Sequence, residues 1–406
     1  MVIQLTRVSM PPLDGITVID ATQVVSGPFA SMMLADMGAE VVKIERPKGG
    51  DIGRANPPFM NGHSGYFTSV NRNKKSVALN LKRDRDKEAF LSLAEKADVV
   101  VENNPTGRME KFGLGYESVR EHNEEIIYCS ITGFGQTGPY QKLPALDIVV
   151  QAMSGVMSIT GPPDDQPYRA GIPIGDIAGS MYAVQSILLS LYEREDSGTG
   201  DYIDVSMLDS TISWLTVRAG YTFAKGERYP RMGNKLTEYV PYGVFETADS
   251  PIAVVVVSDD HWQRLCRVID RPELGDDERF ATVDARRQNR DELEALLTDV
   301  FVQQSAEYWF EALADEYVPA APIYNTNEVW DDEHIRAREL LATVQDGDGS
   351  FETIRHPVKF ENLDTAIQRG VPELGEHTRD LLSDAGYSES EIDEFEDAIR
   401  SEPSQP

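Results

Sequence analysis

One aspartate, in the phrase GIPIGDIAG at residues 171–179, has a setting in which a carboxylate could do chemistry. Asp176 lies between Gly175 and Gly179, and the apolar helical pattern IAGSMYAVQSILLSLY follows it directly. A carboxylate placed there has two uses. It can cap the helix by accepting hydrogen bonds from the free N–H groups of the first turn, or it can act as a nucleophile in covalent catalysis. Local sequence alone favours the cap.

A second motif, GFGQTG at residues 133–138, follows a strand pattern and matches the G-x-G-x-x-G fingerprint of dinucleotide-binding proteins. That fingerprint works only where the glycine turn opens a helix whose N-terminus meets the pyrophosphate. Here Pro139 and Pro144 follow, so a tight loop is predicted instead of a nicotinamide site. The sequence has no G-x-S-x-G elbow and no P-loop. Cys129, Cys266 and six scattered histidines form neither a disulfide framework nor a metal-binding pattern.

Composition limits the class of protein. The chain has 406 residues with a hydrophobic share of 41%, enough for a substantial core and two domains. Its formal charge of −30, from 68 acidic and 38 basic residues, would repel nucleic acid and anionic membranes. Such acid-rich surfaces resemble those of proteins from salt-loving organisms. No signal peptide and no apolar run of ~18 to 20 residues is apparent. We therefore expect a cytoplasmic protein with neither membrane nor nucleic-acid partners.

The elements that must position these residues follow from alternating β-branched runs and helical patterns. Strands are predicted at 15–22, 40–46, 76–81, 98–103, 125–132 and 200–207, and helices at 29–38, 85–97, 177–194 and 208–223. Buried strands joined by helices indicate an α/β fold with a mainly parallel, twisted sheet and right-handed crossovers.

The composition changes near residue 225, where KGERYPRMGNKLTEYVPYGVF is rich in Gly, Pro and aromatic residues. This change predicts a large domain over 1–224 and a smaller α/β domain over 225–325, with a strand at 251–258. Residues 326–406 are predicted to return to the large domain. Within that last part, ELLATVQ is predicted to be helical.

Seven phrases, in order along nearly the whole chain, resemble the class III CoA-transferases, a family with formyl-CoA, carnitine and succinyl-CoA-dependent members. The phrases are PLDGITVIDATQVVSGPFASMMLADMGAEVVKIERPKGGD (12–51), NRNKKSVALNLK (71–82), GRMEKFGLGYESV (107–119), IIYCSITGFGQTGPY (126–140), GIPIGDIAG (171–179), GNKLTEYVPYGVF (233–245) and LGEHT (374–378). The resemblance implies a Rossmann-like large domain and an interlocked homodimer in which each subunit is an open ring. It implies no permanently bound cofactor, because the CoA thioester is a substrate.

The resemblance makes Asp176 the covalent nucleophile, in preference to the cap. Its carboxylate would attack an acyl-CoA thioester and give an acyl-aspartyl anhydride and CoA thiolate. The thiolate would return to form an aspartyl-CoA thioester, from which an acceptor carboxylate collects the CoA. The glycines on both sides would let backbone N–H groups approach closely, and one of these groups could hold the oxyanion.

The resemblance also implies contacts with CoA, whose phosphates need cations and whose adenine needs an apolar slot. Arg46 would reach the phosphorylated adenosine, while Val25 and Ser26 would touch the thioester and pantetheine. Leu79 and Phe112 would each form an apolar wall, and Lys82 and Lys111 would each supply a positive charge. Asn103 would make a backbone contact with CoA. For each lone Lys or Arg, a solvated surface charge is the alternative.

Departures from the family pattern bear on the reaction. Val25, Leu146 and Pro144 replace a glutamine, a tyrosine and a lysine of the formyl-CoA enzyme, and NNPTG (103–107) replaces N-F-R-P-G. GNKLTEYVPY also occupies the place of the glycine-rich lid of the oxalate-using enzyme, so formyl transfer to oxalate is disfavoured. The related α-methylacyl-CoA racemases use a histidine and an aspartate on opposite faces of the α-carbon. That histidine would stand at Leu146, so racemisation is the lesser alternative.

The favoured donor is succinyl-CoA and the favoured acceptor is a C4 or C5 dicarboxylate such as mesaconate, malate or citramalate. This preference rests on resemblance to succinyl-CoA-dependent members. The far carboxylate would need a cation, for which Arg169, Arg72 and Arg231 are candidates, each with a structural role as the alternative. Transfer to carnitine or another carboxylate, and an inactive CoA-binding scaffold, stay open.

Overall fold

The structure is a computed structural model that describes residues 11–346, 349–363, 365 and 367–401. The strands are β1 (Thr17–Ala21), β2 (Glu40–Glu45), β3 (Phe59–Met60), β4 (His63–Ser64), β5 (Lys74–Ala78), β6 (Val99–Glu102), β7 (Ile127–Thr132), β8 (Asp201–Ser206), β9 (Tyr242–Phe245), β10 (Ile252–Val255), β11 (Ala320–Pro322), β12 (Leu341–Asp346) and β13 (Gly349–Ile354). The helices are α1 (Ser26–Asp36), α2 (Gly65–Asn71), α3 (Asp84–Ala94), α4 (Arg108–Phe112), α5 (Tyr116–Arg120), α6 (Asp147–Met153), α7 (Val156–Ile159), α8 (Ile174–Ser197), α9 (Met207–Ser213), α10 (Thr216–Lys225), α11 (Asp259–Val268), α12 (Glu273–Asp276), α13 (Val283–Gln288), α14 (Arg290–Phe301), α15 (Ala306–Asp315), α16 (Glu333–Ala337), α17 (Thr378–Asp384) and α18 (Glu389–Ser401). Short 3₁₀ helices occupy Ile52–Ala55 and Glu328–Trp330.

The chain forms two compact units. The first comprises the described residues up to Val156, Ala170–Thr216 and those from Arg338 onward; the second comprises Met157–Arg169 and Val217–Ala337. The predicted small domain, 225–325, lies inside the second unit. That unit has its own antiparallel sheet in the order β11-β10-β9 and a core built around aromatic side chains such as Trp262.

The central sheet of the first unit has six strands in the order β5-β2-β1-β6-β7-β8, and every neighbouring pair is parallel. The strands wind outward from β1 in one direction and then from β6 in the other, which is the doubly wound, Rossmann-like arrangement. The predicted α/β fold with a large parallel sheet is confirmed. In such sheets ligands bind outside the carboxyl ends of the strands where the order reverses, here between β1 and β6.

Apolar clusters cover both faces of this sheet, which explains why its strands are almost continuously apolar. On β1, Val18 packs into the cluster that includes side chains of α1 and α8, whereas Ile19 packs into the cluster on the other face. That second cluster includes Leu382 and Ile392 from the last two helices. Residues near the end of the chain therefore complete the core of the sheet.

Three predicted segments can be compared directly with the structure. Residues 133–138 form no helix, so the predicted loop is confirmed. The predicted helix at 208–223 is two helices, α9 and α10, interrupted just before Thr216, whose φ is 28°. The helix predicted for ELLATVQ is wrong, because this stretch forms β12, paired antiparallel with β13. Buried Ala342 and Val344 alternate with more exposed neighbours, which is the two-residue period of a strand.

Helix α8 is the longest helix among the described residues. Its length and a mean hydropathy of 1.3 would allow it to cross a membrane, although no such apolar run was expected from the sequence. One face of α8 packs against α1, α9, β7 and β8 and buries Ala178, Ala183 and Ile187. The helix therefore belongs, on that face, to the core of the first unit.

Candidate active site

The carboxyl ends of β1, β6 and β7 open into a cavity of about 680 Å³ in the first unit. Residues 23–26 after β1, 103–108 after β6 and 141–147, which end with the first residue of α6, contribute to its lining. The cavity thus lies where the strand order reverses, as expected for a sheet of this kind. Five of the predicted site residues line this one cavity: Val25, Ser26, Asn103, Lys111 and Asp176.

Asp176 is the third residue of α8, and its carboxyl group is mostly buried. The helix begins at Ile174 after Pro173 in the N-cap position, and no side chain caps it. The N-cap interpretation of Asp176 is therefore wrong. Burial raises the pKa of Asp176 to about 7; the negative charge of Asp147 acts in the same direction, and a hydrogen bond with Ser26 opposes the shift. A carboxyl group with such a pKa in a cavity is typical of a functional site.

Asp147, the first residue of α6, holds the backbone next to Asp176. Its Oδ1 accepts a hydrogen bond from the N–H of Gly175 at 2.8 Å. Gly175 permits this approach, because a Cβ there would lie 2.9 Å from Cγ1 of Val150. The N–H of Gly175 is thus already bonded, which removes it as the predicted oxyanion donor. Gly179 lies inside α8, where a Cβ would lie 3.0 Å from Met207 Cγ, so its role is close packing.

The loop between β1 and α1, residues 22–25, approaches the cavity in a strained conformation. Val24 has a φ of 72°, in the left-handed region that β-branched residues rarely adopt. The Val24 N–H donates to Asp51 Oδ1 at 3.1 Å, and Gly53 N–H donates to the same oxygen at 2.8 Å. The buried Asp51 carboxylate therefore fixes the position of the β1–α1 loop.

The Asn103 side chain also fixes the position of the β1–α1 loop. Its Oδ1 accepts the N–H of Gln23, and its Nδ2 donates to the Gln23 carbonyl, both at 2.8 Å. Its Nδ2 also donates to Ser26 Oγ at 3.2 Å. The sequence predicted only a backbone contact with CoA at this position. The structure adds a positioning role for the Asn103 side chain.

Asp51 belongs to a group of buried charged residues, called here the buried charge cluster. Its members are Asp20, Lys43, Glu45, Asp51 and Lys74. Lys43 Nζ lies 3.0 Å from Asp51 Oδ2 and 3.8 Å from Asp20 Oδ2, and Lys74 Nζ lies 2.9 Å from that same Asp20 oxygen. Burial alone would raise the pKa of Asp20, but the charges of Lys43 and Lys74 outweigh it and hold this pKa well below its usual range. These carboxylates are therefore ionised and paired.

Three cationic side chains line the cavity: Arg108, Lys111 and Lys142. Among the described residues none of them is ion-paired with a carboxylate, so their charge is available for phosphate groups. The sequence predicted only Lys111. Arg108 lies one turn earlier on α4, a spacing that could have identified it. Lys142 lies in a loop, and no sequence pattern shows that it reaches the cavity.

Four predicted CoA contacts lie outside this cavity. Arg46 is exposed after β2 and donates from Nε and Nη2 to the Gly50 carbonyl at 3.2 and 2.9 Å. Leu79 is 1% exposed in the hydrophobic core, and Phe112 packs against that core. The Leu79 side chain thus has no free surface for an adenine, which corrects the predicted wall. The contacts of Arg46, Phe112 and the exposed Lys82 stay predictions.

The three arginines considered for a distal carboxylate have different surroundings. Arg72 is buried; its Nη2 lies 2.6 Å from Asp36 Oδ2, and its Nη1 donates to the Thr353 hydroxyl at 2.8 Å. Its charge is neutralised, so Arg72 is a structural residue and its candidacy was wrong. Arg231 donates to backbone carbonyls within the second unit. Arg169 also lies in the second unit, and its role stays a prediction.

Two titratable residues near the cavity were not found from the sequence. Burial and the negative charge of Asp176 raise the pKa of Tyr66, at the start of α2. Burial raises the pKa of Glu102, at the end of β6, to about 7, and its Oε2 accepts the Asn104 N–H at 2.7 Å. Glu102 thus supports the loop that follows β6. In the part of the chain that the structure describes, no cluster of three His, Cys, Asp or Glu side chains is arranged to hold a metal ion.

Comparisons with known proteins give a consistent result. Residues 13–378 match the family described as CoA-transferase family III. The chain is 42% identical to the succinyl-CoA:mesaconate CoA-transferase of Haloarcula marismortui, over 93% of this chain and 97% of that protein. It is 38% identical to the succinate–glutarate CoA-transferase of Agrobacterium fabrum, over 92% and 96% of the two chains. The crystal structure of a CAIB/BAIF family protein from Brucella suis matches with a TM-score of 0.86 and 34% identity, covering 92% of this chain and 99% of that one.

Proposed function

The chain belongs to CoA-transferase family III, as its sequence phrases predicted, and we propose that it moves CoA from succinyl-CoA to a C4 or C5 dicarboxylate. Mesaconate, malate and citramalate are the proposed acceptors. The two relatives described above, whose names include mesaconate and glutarate, support this choice. The observation that carries the proposal is the placement of Asp176 in one cavity with Val25, Ser26 and three cations.

In the proposed reaction, the Asp176 carboxylate attacks the thioester carbonyl of succinyl-CoA and expels CoA thiolate, leaving a succinyl-aspartyl anhydride. The thiolate then attacks the Asp176 carbonyl and releases succinate, so that CoA is bound to Asp176 as a thioester. The acceptor carboxylate attacks this thioester and expels the thiolate again. Attack of the thiolate on the acceptor carbonyl of the second anhydride gives acceptor-CoA and restores the Asp176 carboxylate. Charge and atoms balance without proton transfer to either substrate.

The surroundings of Asp176 suit this role. Burial removes water from the carboxylate and makes it more basic, and therefore more nucleophilic toward a carbonyl carbon. The thiolate must stay in the cavity between steps. Arg108, Lys111 and Lys142 can retain it by binding the CoA phosphates throughout the cycle.

An acceptor screen tests the substrate proposal. Purified protein is incubated with succinyl-CoA and a panel of mesaconate, malate, citramalate, glutarate, oxalate and carnitine, and each CoA product is identified by mass spectrometry. We expect product with the C4 and C5 dicarboxylates. Transfer to carnitine or oxalate alone would refute the proposed acceptor class while leaving the enzyme class unchanged.

The role of Asp176 is tested separately. Hydroxylamine or borohydride trapping during turnover should modify Asp176, as located by peptide mass spectrometry. The Asp176→Ala variant should lose at least about 10⁴-fold in kcat, because it removes the nucleophile, yet it should still bind CoA. Turnover that persists in this variant would contradict the mechanism. Tight CoA binding without exchange in the unaltered protein would instead indicate an inactive scaffold.

The racemase alternative is weaker because none of the described residues that line the cavity is a histidine. Leu146 stands where the racemases have a histidine, and it lines the cavity beside Asp147. A leucine can neither give nor accept a proton. Deuterium exchange at the α-carbon of a 2-methylacyl-CoA, measured in D₂O without acceptor, should therefore be undetectable; appreciable exchange would favour racemisation.

We also propose that the protein is a homodimer with interlocked subunits. The exposed face of α8 carries Leu189 and Tyr192, which are 61% and 75% exposed, and Ile148 and Met153 of α6 are exposed as well. Exposed apolar side chains such as these are typical of an interface. Analytical ultracentrifugation should give a dimer, and Tyr192→Glu should shift the distribution toward monomer. A single monomeric species in both proteins would contradict this proposal.

A cytoplasmic location and adaptation to high salt are further proposals. The adaptation to salt rests on the formal charge of −30, whose self-repulsion salt would screen, and the cytoplasmic location is the expectation given in the sequence analysis. Activity and unfolding temperature measured from 0.1 to 3 M KCl should both rise with salt. A decline of both over that range would contradict adaptation to salt.

A further inference from the structure

Two polar residues of α6, four positions apart, bond the chain segment that leads into Asp176. Asp147 Oδ1 accepts the Gly175 N–H at 2.8 Å, and Asp147 Oδ2 accepts Nε2 of Gln151 at 2.6 Å. Gln151 Oε1 in turn accepts the N–H of Ala170 at 2.8 Å, and its Nε2 lies 3.4 Å from the Ile172 carbonyl. Together the two side chains bond backbone groups at both ends of residues 170–175.

This segment lies outside the helices and strands until α8 begins at Ile174. Residues 170–173 have no regular secondary structure, and Gly171 and Ile172 are exposed. Gln151, by contrast, is 0% exposed. A buried amide must have its donors and acceptor bonded, so Gln151 strongly prefers the conformation in which the segment bonds to it. The position of the segment therefore follows the position of α6.

We propose that Asp147 and Gln151 are positioning residues that fix residues 170–175, and with them the Asp176 carboxylate, for attack on the thioester. The proposal rests on the proposed role of Asp176 as nucleophile. Neither side chain needs to touch the substrate carbonyl. Their effect is on the distance and angle of attack, to which a reaction between bound groups is highly sensitive.

Asp147 acts on Asp176 in a second way. Its negative charge faces the Asp176 carboxyl group and contributes to the raised pKa. A purely structural support would hold the segment without this electrostatic effect. The pH dependence of the reaction therefore separates the two roles of Asp147.

The test of Gln151 is the Gln151→Leu variant, which keeps the bulk but removes both hydrogen-bonding groups. We expect kcat to fall by about 10- to 100-fold, with KM for succinyl-CoA changed by less than about 3-fold, because the cavity cations are on other elements. The matched control is Gln303→Leu, at an exposed glutamine whose Nε2 donates to the Asp299 carbonyl at 3.0 Å. This control should have normal kinetics.

Gln151→Glu is the second variant, in case the leucine variant does not fold. It keeps an oxygen for the Ala170 N–H but loses the donor to Asp147 and places a second carboxyl group beside it. We expect kcat to fall and the midpoint of the pH–kcat/KM profile to move upward. Normal kcat and an unchanged midpoint in a folded Gln151 variant would overturn the proposal.

The test of Asp147 compares Asp147→Asn with Asp147→Ala. Asparagine keeps an oxygen for the Gly175 N–H, but it removes the charge and replaces the acceptor of Gln151 Nε2 with an amide N–H₂. The midpoint of the pH–kcat/KM profile should therefore fall, while kcat falls by less than about 10-fold. Alanine also removes the hydrogen bond, and kcat should fall by a further 10-fold or more. Equal kcat in the two variants, or an unchanged midpoint in both, would overturn the proposal.

Failure of this inference is distinguishable from failure of the proposed function. Trapping of the acyl adduct in the unaltered protein first establishes whether Asp176 is the nucleophile. If the adduct forms on Asp176 and the α6 variants behave normally, only the positioning role is wrong. If no adduct forms on Asp176, the proposed mechanism is wrong whatever the variants do.

Discussion

The first unit contains two groups of carboxylates, one buried and one partly buried, with opposite surroundings. In the buried charge cluster, Lys43 and Lys74 face Asp20, and Lys43 also faces Asp51. In the cavity, Asp176 faces the carboxylate of Asp147, and the groups that set its pKa include no cation. The same chemical group therefore has a pKa well below its usual range in one place and near 7 in the other.

This difference separates stability from reactivity. A buried carboxylate with a cationic partner is held in its ionised form and in one position. In this protein such a carboxylate supports the β1–α1 loop. A buried carboxylate without such a partner is destabilised when ionised and reacts more readily. Proteins commonly accept such local destabilisation at functional sites.

The largest expected effect comes from removing a cation of the cluster. Lys43→Met should lower the free energy of unfolding by about 3 to 5 kcal/mol, because it leaves Asp20 and Asp51 buried with less compensation. Chemical denaturation at pH 7.5 measures this change. The control is Lys75→Met on the neighbouring strand β5, which removes a partly exposed pair with Glu40 and should cost less than about 1 kcal/mol. Equal losses of unfolding free energy in the two variants would show that the buried charge cluster stabilises the fold no more than a partly exposed ion pair does.

Substitution of the cavity carboxylate is expected to raise the free energy of unfolding, which is the opposite of the effect of Lys43→Met. Asp176→Asn should raise the free energy of unfolding by about 1 to 3 kcal/mol at pH 8, because the folded-state pKa of Asp176 lies above that of the unfolded chain. The folded protein therefore loses stability as pH rises from about 4 to 7, and the variant lacks this loss. Denaturation across that range checks the sign, with exposed Asp299→Asn as the control. A destabilised Asp176→Asn variant at pH 8 would show that Asp176 is stabilised like Asp20.

The pH dependence of turnover sharpens the comparison further. Attack requires ionised Asp176, so kcat/KM should rise about 10-fold between pH 6 and pH 8, with a midpoint near 7. A carboxylate paired like Asp20 would give a flat profile over that range. Steady-state rates with succinyl-CoA and one acceptor, in buffers of constant ionic strength, distinguish the two cases.

The smallest effect is expected for the cations of the cavity, which differ from the buried lysines in being accessible to solvent. Lys111→Ala should raise KM for succinyl-CoA by about 5-fold, equivalent to about 1 kcal/mol, with little change in stability. The effect should shrink as KCl is raised, because salt screens an exposed charge. A loss of stability comparable to that of Lys43→Met would mean that Lys111 is a structural residue.

The sequence predicted the order of elements well, because each strand of the central sheet is a short apolar run joined to a helix. The resemblance of seven phrases to the family made Asp176 the nucleophile candidate, whereas its local sequence alone favoured a helix cap. Asp147, Gln151 and Tyr66 could not be found in this way, since their importance comes from contacts with residues distant in sequence. The strand at ELLATVQ was missed because a short segment of this composition fits both periods.

Arg72 and Lys142 also show that contacts distant in sequence decide the role of a charged residue. Arg72 stands in a family phrase and was considered for substrate binding, yet it is buried against Asp36. Lys142 has no local signal and lines the cavity. The sequence gives the identity of a charged residue but not its partner. Only the fold determines whether its charge is neutralised by another side chain or is available to bind a ligand.

The left-handed backbone of Val24 has a consequence for the timing of catalysis. A β-branched residue in this conformation costs about 1 to 3 kcal/mol, so it persists only while the Asp51 and Asn103 side chains bond its loop. Both bonds are made by side chains of the protein itself. The fold thus preorganises the loop, and little of the substrate's binding energy has to be diverted to reshaping it.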